Sequence, residues 1–283
     1  MLKQRVITAV VLLAILLPAL FYPSPIPFSI AALVLIVAGG WEWGRLNAFS
    51  FFASVLAGLL TGALCGLAWV GGLLVQPLPL VWAIAGGAWV LFGAALLRAG
   101  PSGWSQIPRF VRLVGGLALL FIAWLAIAQA RTIGVAFLLS ILVLVWTADI
   151  AAYAAGRRFG GQFTRSKLAA SISPGKSWEG VWGALAGVLV LAVGWAWLDR
   201  AGYSAFSGSL YARLWAKHGV VLMLAGVVFL VAMSVVGDLV ESLVKRSANV
   251  KDSSGLLPGH GGVLDRVDAL LAAVPLAMLL VSL

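Results

Sequence analysis

The chain has 283 residues, of which 63% are hydrophobic and only 10% are charged, and its formal net charge is +10. Soluble domains carry about 25% charged residues, so this composition excludes a soluble globular protein and indicates a polytopic membrane protein. In such a protein Lys and Arg collect in cytoplasmic loops, so the positive charge does not predict a nucleic-acid partner.

A membrane-spanning helix needs roughly 20 mainly apolar residues, and nine segments approach or meet that length. The predicted spans are 6–22, 27–41, 51–70, 79–97, 112–130, 132–151, 180–198, 219–238 and 264–283. The first could be a signal peptide, but no Ala-x-Ala pattern follows near Pro18, so an uncleaved span is favoured. The predicted fold class is all-α, with scaffold helices in residues 1–130 and the functional loops in residues 131–283 of one membrane unit.

Six tryptophans of the first half are predicted to lie at the membrane interface or to face lipid. They are Trp41, Trp43, Trp69, Trp82, Trp89 and Trp104. The segment 199–218 is predicted to be a polar loop outside the membrane.

The positions of the basic residues predict the orientation. With nine spans and a cytoplasmic N-terminus, only Arg131, Arg200, Arg213 and Lys217 of the 19 Lys and Arg residues fall on the outer side. The nine acidic residues divide in the same way, with Asp199 alone outside. Acidic residues contribute little to orientation, so their accumulation needs another cause, and a cytoplasmic reaction site would supply one.

Five of the nine acidic residues fall between residues 237 and 268. At the end of the eighth span, polar residues follow the spacing i, i+3, i+4 and i+7 and therefore share one helical face. They are Asp238, Glu241, Ser242 and Lys245. Asp265 and Asp268 begin the ninth span, with Arg266 between them. The structural alternatives are an Asp–Lys pair that solvates a helix end and, for Asp265, capping by the helix dipole.

Between these carboxylates lies a glycine-rich turn with Gly259, Gly261 and Gly262. Glycines allow successive backbone N–H groups to point to one centre, which suits a phosphate. Positive donors occur nearby at Lys245, Arg246, Lys251 and His260. Mg²⁺ takes one or two carboxylates and leaves its other positions to water and phosphate oxygens, so Asp238 and Asp265 are predicted to bind Mg²⁺, with room for a second metal ion.

A second polar constellation begins near the end of the sixth span, where Asp149, Tyr153, Gly156 and Gly160 follow helical spacing. Further along, Ser177 is predicted to be the N-cap of the seventh span, with Glu179 in its first turn and a GxxxG packing face at Gly183 and Gly187. Lys176 and Ser177, just before that helix, could bind an anionic group of a substrate. The alternative is an ordinary basic loop on the cytoplasmic side.

These residues resemble the phosphatidate cytidylyltransferase (CDP-diacylglycerol synthase) family. The matching signature reads Ser242-x-x-Lys245-Arg246, Lys251-Asp252, Gly255, Pro258 and His260-Gly261-Gly262-x-x-Asp265-Arg266-x-Asp268. The upstream segments Asp149-x-x-Ala152-Tyr153-x-x-Gly156 and Ser173-Pro174-x-Lys176-Ser177-x-Glu179-Gly180 are also similar. Gly175 departs from the family, in which many members have a second Lys, and Arg165 or Lys167 could take over its role.

The resemblance implies a dimeric, Mg²⁺-dependent enzyme of the inner membrane that joins CTP to phosphatidate and releases pyrophosphate at a cytoplasmic active site. It implies catalytic roles for Asp238, Asp265, Lys245, Arg246 and His260, with the two aspartates holding the metal. The implied substrate-binding residues are Asp149, Tyr153, Lys176, Ser177, Glu179, Lys251, Asp252, Gly261, Gly262, Arg266 and Asp268.

Two other functions fit the composition. An ion-coupled secondary transporter would also carry carboxylates at broken helices, but it predicts acids near the bilayer midplane and inverted repeats. Another polytopic phospholipid or polyprenol-phosphate transferase would use similar metal carboxylates, and only its substrates would distinguish it.

Overall fold

A computed structural model describes residues 2–164, 166–202 and 207–283. Arg165, one of the two basic residues considered as a substitute for the missing lysine, lies outside the described residues. The helices are α1 (Leu2–Phe21), α2 (Ile26–Leu46), α3 (Phe51–Val70), α4 (Pro79–Gln106), α5 (Arg109–Ile133), α6 (Val135–Phe159), α7 (Trp178–Arg200), α8 (Leu210–Ser247) and α9 (Leu264–Ser282). The all-α prediction is confirmed.

Each predicted span falls largely within one helix. Among the described residues, eight helices, α1 to α8, are long and apolar enough to cross a membrane, which confirms a polytopic membrane protein. The ninth predicted span is a helix too, but α9 is not among these eight, and it begins with the charged residues Asp265, Arg266 and Asp268. The predicted loop 199–218 is wrong from Leu210 onward, where α8 starts and then breaks at Gly219, whose φ is +80°.

Small residues let the helices approach closely. An added Cβ on Gly58 would lie 2.6 Å from the Val37 carbonyl oxygen, so only glycine allows α2 and α3 to meet there. The predicted GxxxG face is confirmed, because a Cβ on Gly183 of α7 would lie 2.3 Å from the Ala155 Cβ of α6. Helices α8 and α9 pack against each other and against α4.

The prediction for the tryptophans is wrong for Trp43, Trp82, Trp89 and Trp104, which are all buried. Trp43 shows the physical reason. Its ring packs directly against Gly116 of α5, where an added Cβ would lie 1.9 Å from the ring. Its indole nitrogen donates to the Arg112 carbonyl, 2.9 Å away, so the polar edge is also satisfied inside the bundle.

One end of the bundle gathers the two polar segments. The side chains of Arg5 and Thr8 in α1 donate to the carbonyls of Gly259 and Pro258 in the loop before α9, at 3.0 and 2.8 Å. Arg131, one of the four basic residues predicted for the other side, is buried at the opposite end of α1, where it donates to the carbonyls of Leu20 and Tyr22. The N-terminus and the glycine-rich turn therefore share one end.

Candidate active site

A cavity of about 420 Å³ opens between α6, α7 and α8 at this end. Its polar side chains include Asp149, Tyr153, Lys176, Ser177 and Asp238. Its apolar wall is formed by Ala148, Ala152, Leu168, Val181, Ala184 and Val235. The cavity therefore combines charged side chains with an apolar wall.

The entrance to α7 is built as predicted. The Ser177 hydroxyl accepts a hydrogen bond from the Gly180 amide at 3.2 Å, so Ser177 is the N-cap. Gly180 packs on α6, where an added Cβ would lie 3.1 Å from the Ala152 carbonyl oxygen. This close approach brings the start of α7 and the cavity-facing residues of α6 together.

The two polar segments are in contact. Lys176 forms an ion pair with Asp238 of α8, and both side chains keep about a third of their surface exposed, 27% and 30%. Arg246 donates from Nε to the Ile172 carbonyl at 3.2 Å. The loop before α7 and the end of α8 are therefore joined by an ion pair and a hydrogen bond.

Lys245 of α8 lies between two carboxylates. Its Nζ is 2.5 Å from Glu241 and 2.5 Å from Asp265, and the three side chains are 12%, 4% and 5% exposed. Asp268 also interacts electrostatically with Lys245. A buried Lys held in this way balances charge inside the protein and has few directions left for a ligand.

The glycine turn, residues 259–262, is arranged differently from the prediction. Gly259 and Gly261 have φ of +77° and +85°, so the requirement for glycine is confirmed. However, the Gly262 amide donates to Asp265 Oδ2 at 2.7 Å, as do the amide and hydroxyl of Ser253 at 2.8 and 2.9 Å. The Gly262 amide therefore points to a carboxylate of the chain, and its role in binding a phosphate stays a prediction.

Sequence reasoning missed Glu42 of α2. Its side chain is fully buried, and its two oxygens accept hydrogen bonds from Ser253, Ser254 and the amides of Val263 and Leu264. A signal was present, because Glu42 is the only acidic residue before Asp149 and lies in an apolar helix. An ionisable residue within a span is costly unless partners satisfy it, so its presence indicates a role.

Several other predicted residues lie outside the cavity wall, whereas Tyr153 is part of it. Glu179 Oε1 accepts from the Phe163 amide and from the amide and hydroxyl of Thr164, at 2.8 to 3.1 Å, so it holds the loop before α7. Lys251, Asp252 and Arg266 are exposed, and His260 is partly buried. Tyr153 is 66% exposed at the cavity mouth, where its hydroxyl accepts from Arg157 at 3.0 Å.

Lys167, the described candidate to replace the missing lysine, is exposed and donates to the Pro174 carbonyl at 2.8 Å. It therefore supports the turn that carries Gly175. Arg157 of α6 lines the cavity and supplies a cation there.

Three carboxylates from different helices act on one another electrostatically: Asp149 of α6, Asp238 of α8 and Asp268 of α9. Within the part of the chain that the structure describes, no three His, Cys, Asp or Glu side chains form a complete metal site. This donor set nevertheless fits Mg²⁺, which needs only one or two carboxylates when phosphate oxygens and water supply the rest.

Comparison with known proteins gives a consistent result. Residues 3–283 match the model of the cytidylyltransferase family. The chain belongs to this family. It is 40% identical to the phosphatidate cytidylyltransferase of Pseudomonas aeruginosa over 97% of this chain and 95% of that relative. The enzymes of the same name from Haemophilus influenzae and Staphylococcus epidermidis are 36% and 30% identical, over at least 96% of each chain.

The family resemblance seen in the sequence is thus confirmed, and this cytidylyltransferase is an enzyme of the nucleotidyltransferase class. Family membership favours the enzyme over the ion-coupled transporter. The signature residues recognised in the sequence, Ser242 to Asp268, lie at the charged end of the bundle, which also holds the cavity and the Lys245 cluster.

Proposed function

We propose that this protein transfers the cytidylyl group of CTP to phosphatidate, forming CDP-diacylglycerol and pyrophosphate. The names of its relatives support these substrates. The observation that carries the proposal is the cavity in which Lys176 and Asp238 stand beside an apolar wall. A lipid phosphate needs both surfaces, because its headgroup is anionic and its chains are apolar.

In the proposed reaction, an oxygen of the phosphatidate phosphate attacks the α-phosphorus of CTP. The new P–O bond forms as the bond from the α-phosphorus to the bridging oxygen breaks, and pyrophosphate leaves. A phosphate monoester has a second pKa of about 6, so it is largely ionised at neutral pH and needs no strong base. The task of the protein is therefore to bring two anions together and hold them in line.

Lys176 and Ser177 are proposed to bind the lipid phosphate, helped by Arg157 at the cavity mouth. Tyr153 and Asp149 line the same cavity and would orient the headgroup and the cations. Lys251 and His260 on the loop before α9 and Arg266 in the first turn of that helix are proposed ligands of the CTP phosphates. Lys245 and Arg246 contribute through charge balance and by joining the loops.

Asp238 is the proposed centre of Mg²⁺ binding, because it is partly exposed at the cavity and lies near Asp149 and Asp268. When bound, Mg²⁺ would neutralise phosphate charge as a Lewis acid. Asp265, the second predicted metal ligand, could join only through Oδ1 in place of Lys245, since Oδ2 already accepts hydrogen bonds from the amides of Ser253 and Gly262. We also propose, from the basic residues and the family resemblance, an inner-membrane homodimer with its N-terminus and active site in the cytoplasm.

The experiment uses purified protein in detergent with α-labelled CTP, phosphatidate and Mg²⁺. We expect label in CDP-diacylglycerol and release of unlabelled pyrophosphate. Parallel reactions with a polyprenyl phosphate or with diacylglycerol as acceptor test the other transferase. Turnover with one of these and none with phosphatidate would contradict the proposed substrate, and no turnover with any acceptor would contradict the function.

A further inference from the structure

Glu42 lies far from the cavity-lining residues in sequence, yet it is bonded to the segment that carries the family signature. Its Oε1 accepts from the Ser254 hydroxyl at 2.5 Å and from the Val263 amide at 2.8 Å. Its Oε2 accepts from the Ser253 hydroxyl at 3.0 Å and from the Leu264 amide at 2.8 Å. Both carboxylate oxygens therefore accept hydrogen bonds, and every donor belongs to the loop before α9 or to the start of that helix.

This carboxylate replaces the missing cap of α9. Val263, at the N-cap position, has no side-chain hydrogen bond to the helix, so the first amides of α9 would be unsatisfied without Glu42. A negative charge at a helix N-terminus is also favoured by the helix dipole. Among the described residues no Lys or Arg pairs with Glu42, so hydrogen bonds and the dipole balance its charge.

One hydroxyl connects Glu42 to the charged cluster. The Ser253 oxygen lies 3.0 Å from Glu42 Oε2 and 2.9 Å from Asp265 Oδ2. A hydroxyl has a single proton to donate, so the two carboxylates compete for it and their positions are coupled. Asp265 in turn holds Lys245 at 2.5 Å.

The turn can approach Glu42 only because residue 262 is glycine. A Cβ on Gly262 would lie 2.1 Å from the Ser253 oxygen and 2.3 Å from Glu42 Oε1. Glu42 itself is held firmly, since the next residue, Trp43, donates to the Arg112 carbonyl of α5. The position of α2 is therefore transmitted to the glycine turn and to α9.

We propose that Glu42 is a positioning residue for the transfer reaction, which sets the glycine turn and the carboxylates of α9 through four hydrogen bonds. This inference rests on the proposed function. Glu42 touches neither substrate nor metal in this role. It acts through Ser253, Asp265 and the N-terminus of α9.

The test compares Glu42→Gln with the wild-type protein. The glutamine amide keeps one accepting oxygen, but its NH₂ group only donates, so it opposes the two donors that face the other oxygen. We expect kcat for CDP-diacylglycerol formation to fall about 10- to 100-fold, as for the loss of a residue that orients a metal ligand. KM for CTP should rise too, because the proposed CTP ligands Lys251, His260 and Arg266 lie beside the residues that Glu42 holds, whereas KM for phosphatidate, proposed to bind at Lys176 and Ser177, should change by less than about threefold.

A readout independent of activity is amide hydrogen exchange in a peptide covering residues 253–264. Loss of hydrogen bonds to a charged acceptor should speed exchange there by about tenfold or more. Gln129→Leu is the matched control, because Gln129 is also buried and also bonds a loop, through the carbonyls of Leu73 and Gln76. Gln129 lies 17 residues after Arg112, the α5 residue whose carbonyl accepts from Trp43, which is roughly 25 Å along the helix. Gln129→Leu should therefore leave both kcat and amide exchange in residues 253–264 unchanged.

Unchanged exchange in residues 253–264 of Glu42→Gln, or a kcat equal to that of Gln129→Leu, would overturn the proposal. If Glu42→Gln does not fold, the same two measurements are made on Glu42→Asp. Its shorter side chain keeps the charge but cannot reach all four donors. Faster exchange with lower kcat in that variant supports the proposal, and wild-type behaviour overturns it. A wild-type protein without turnover on CTP and phosphatidate would instead refute the proposed function, while exchange would still decide the structural part.

Discussion

Replacing Lys245 by methionine should lower the unfolding free energy, because Lys245 is the cation of a buried charge cluster. The substitution keeps much of the side-chain volume but removes the cation that lies 2.5 Å from both Glu241 and Asp265. Asp265 retains hydrogen bonds from Ser253 and Gly262, whereas Glu241 is 4% exposed and depends on Lys245. Breaking a buried ion pair by removing one partner costs about 3–5 kcal/mol of unfolding free energy.

That loss corresponds to a fall in the unfolding midpoint of roughly 6–20 °C, at about 2–4 °C per kcal/mol. The assay can use Cys65, the only cysteine and fully buried, whose reaction with a thiol-specific fluorophore reports unfolding in detergent. Tryptophan fluorescence provides a second probe to test whether the transition is two-state. Lys217→Met is the control, because Lys217 is exposed and donates to the Val281 carbonyl, so the unfolding midpoint of this variant should stay close to wild type.

Adding Glu241→Gln to Lys245→Met should recover part of the lost stability, because the buried charge left without its partner is then removed as well. A midpoint for Lys245→Met within error of Lys217→Met would refute the claim that this cluster is buried and mutually dependent. The same conclusion would follow if the double variant were less stable than Lys245→Met alone.

Further predictions concern the two close approaches and the metal. Gly262→Ala places a Cβ 2.1 Å from the Ser253 oxygen, so we expect at least about a tenfold loss of turnover and roughly 1–3 kcal/mol of stability, measured by product formation and thermal unfolding. Gly183→Ala, with its Cβ 2.3 Å from that of Ala155, should destabilise the α6–α7 contact by a similar amount, whereas Gly194→Ala in the same helix has open space and should not. Equal midpoints for these two α7 variants would contradict the packing argument. Removing divalent cations with a chelator should abolish turnover and Mg²⁺ should restore it, and turnover that persists in the chelator would refute the metal requirement.

The helices could be predicted from the sequence because each needs only a local property, a run of apolar residues long enough to cross the bilayer. The packing of α6 on α7 was also accessible, since Gly183 and Gly187 recur at a spacing that places them on one face. The charges of the two polar segments assigned both to one side of the membrane, and the Lys176–Asp238 ion pair joins them.

Contacts between distant segments could not be predicted from the sequence in the same way. Glu42 bonds a hydroxyl 211 residues away, and nothing in the local pattern of α2 identifies that partner. The Gly262 amide was expected to bind phosphate because a glycine turn permits that geometry, but Asp265 competes for it within the folded chain. The burial of Trp43 likewise depends on the gap left by Gly116 on another helix.

Asp238→Asn tests the proposal that the cavity around Asp238 performs cytidylyl transfer. The variant keeps the shape of the side chain but removes the charge that pairs with Lys176 and is proposed to bind Mg²⁺. With α-labelled CTP and phosphatidate, we expect CDP-diacylglycerol formation to fall by at least about 100-fold while the unfolding midpoint stays near wild type. Wild-type turnover by folded Asp238→Asn would contradict the account.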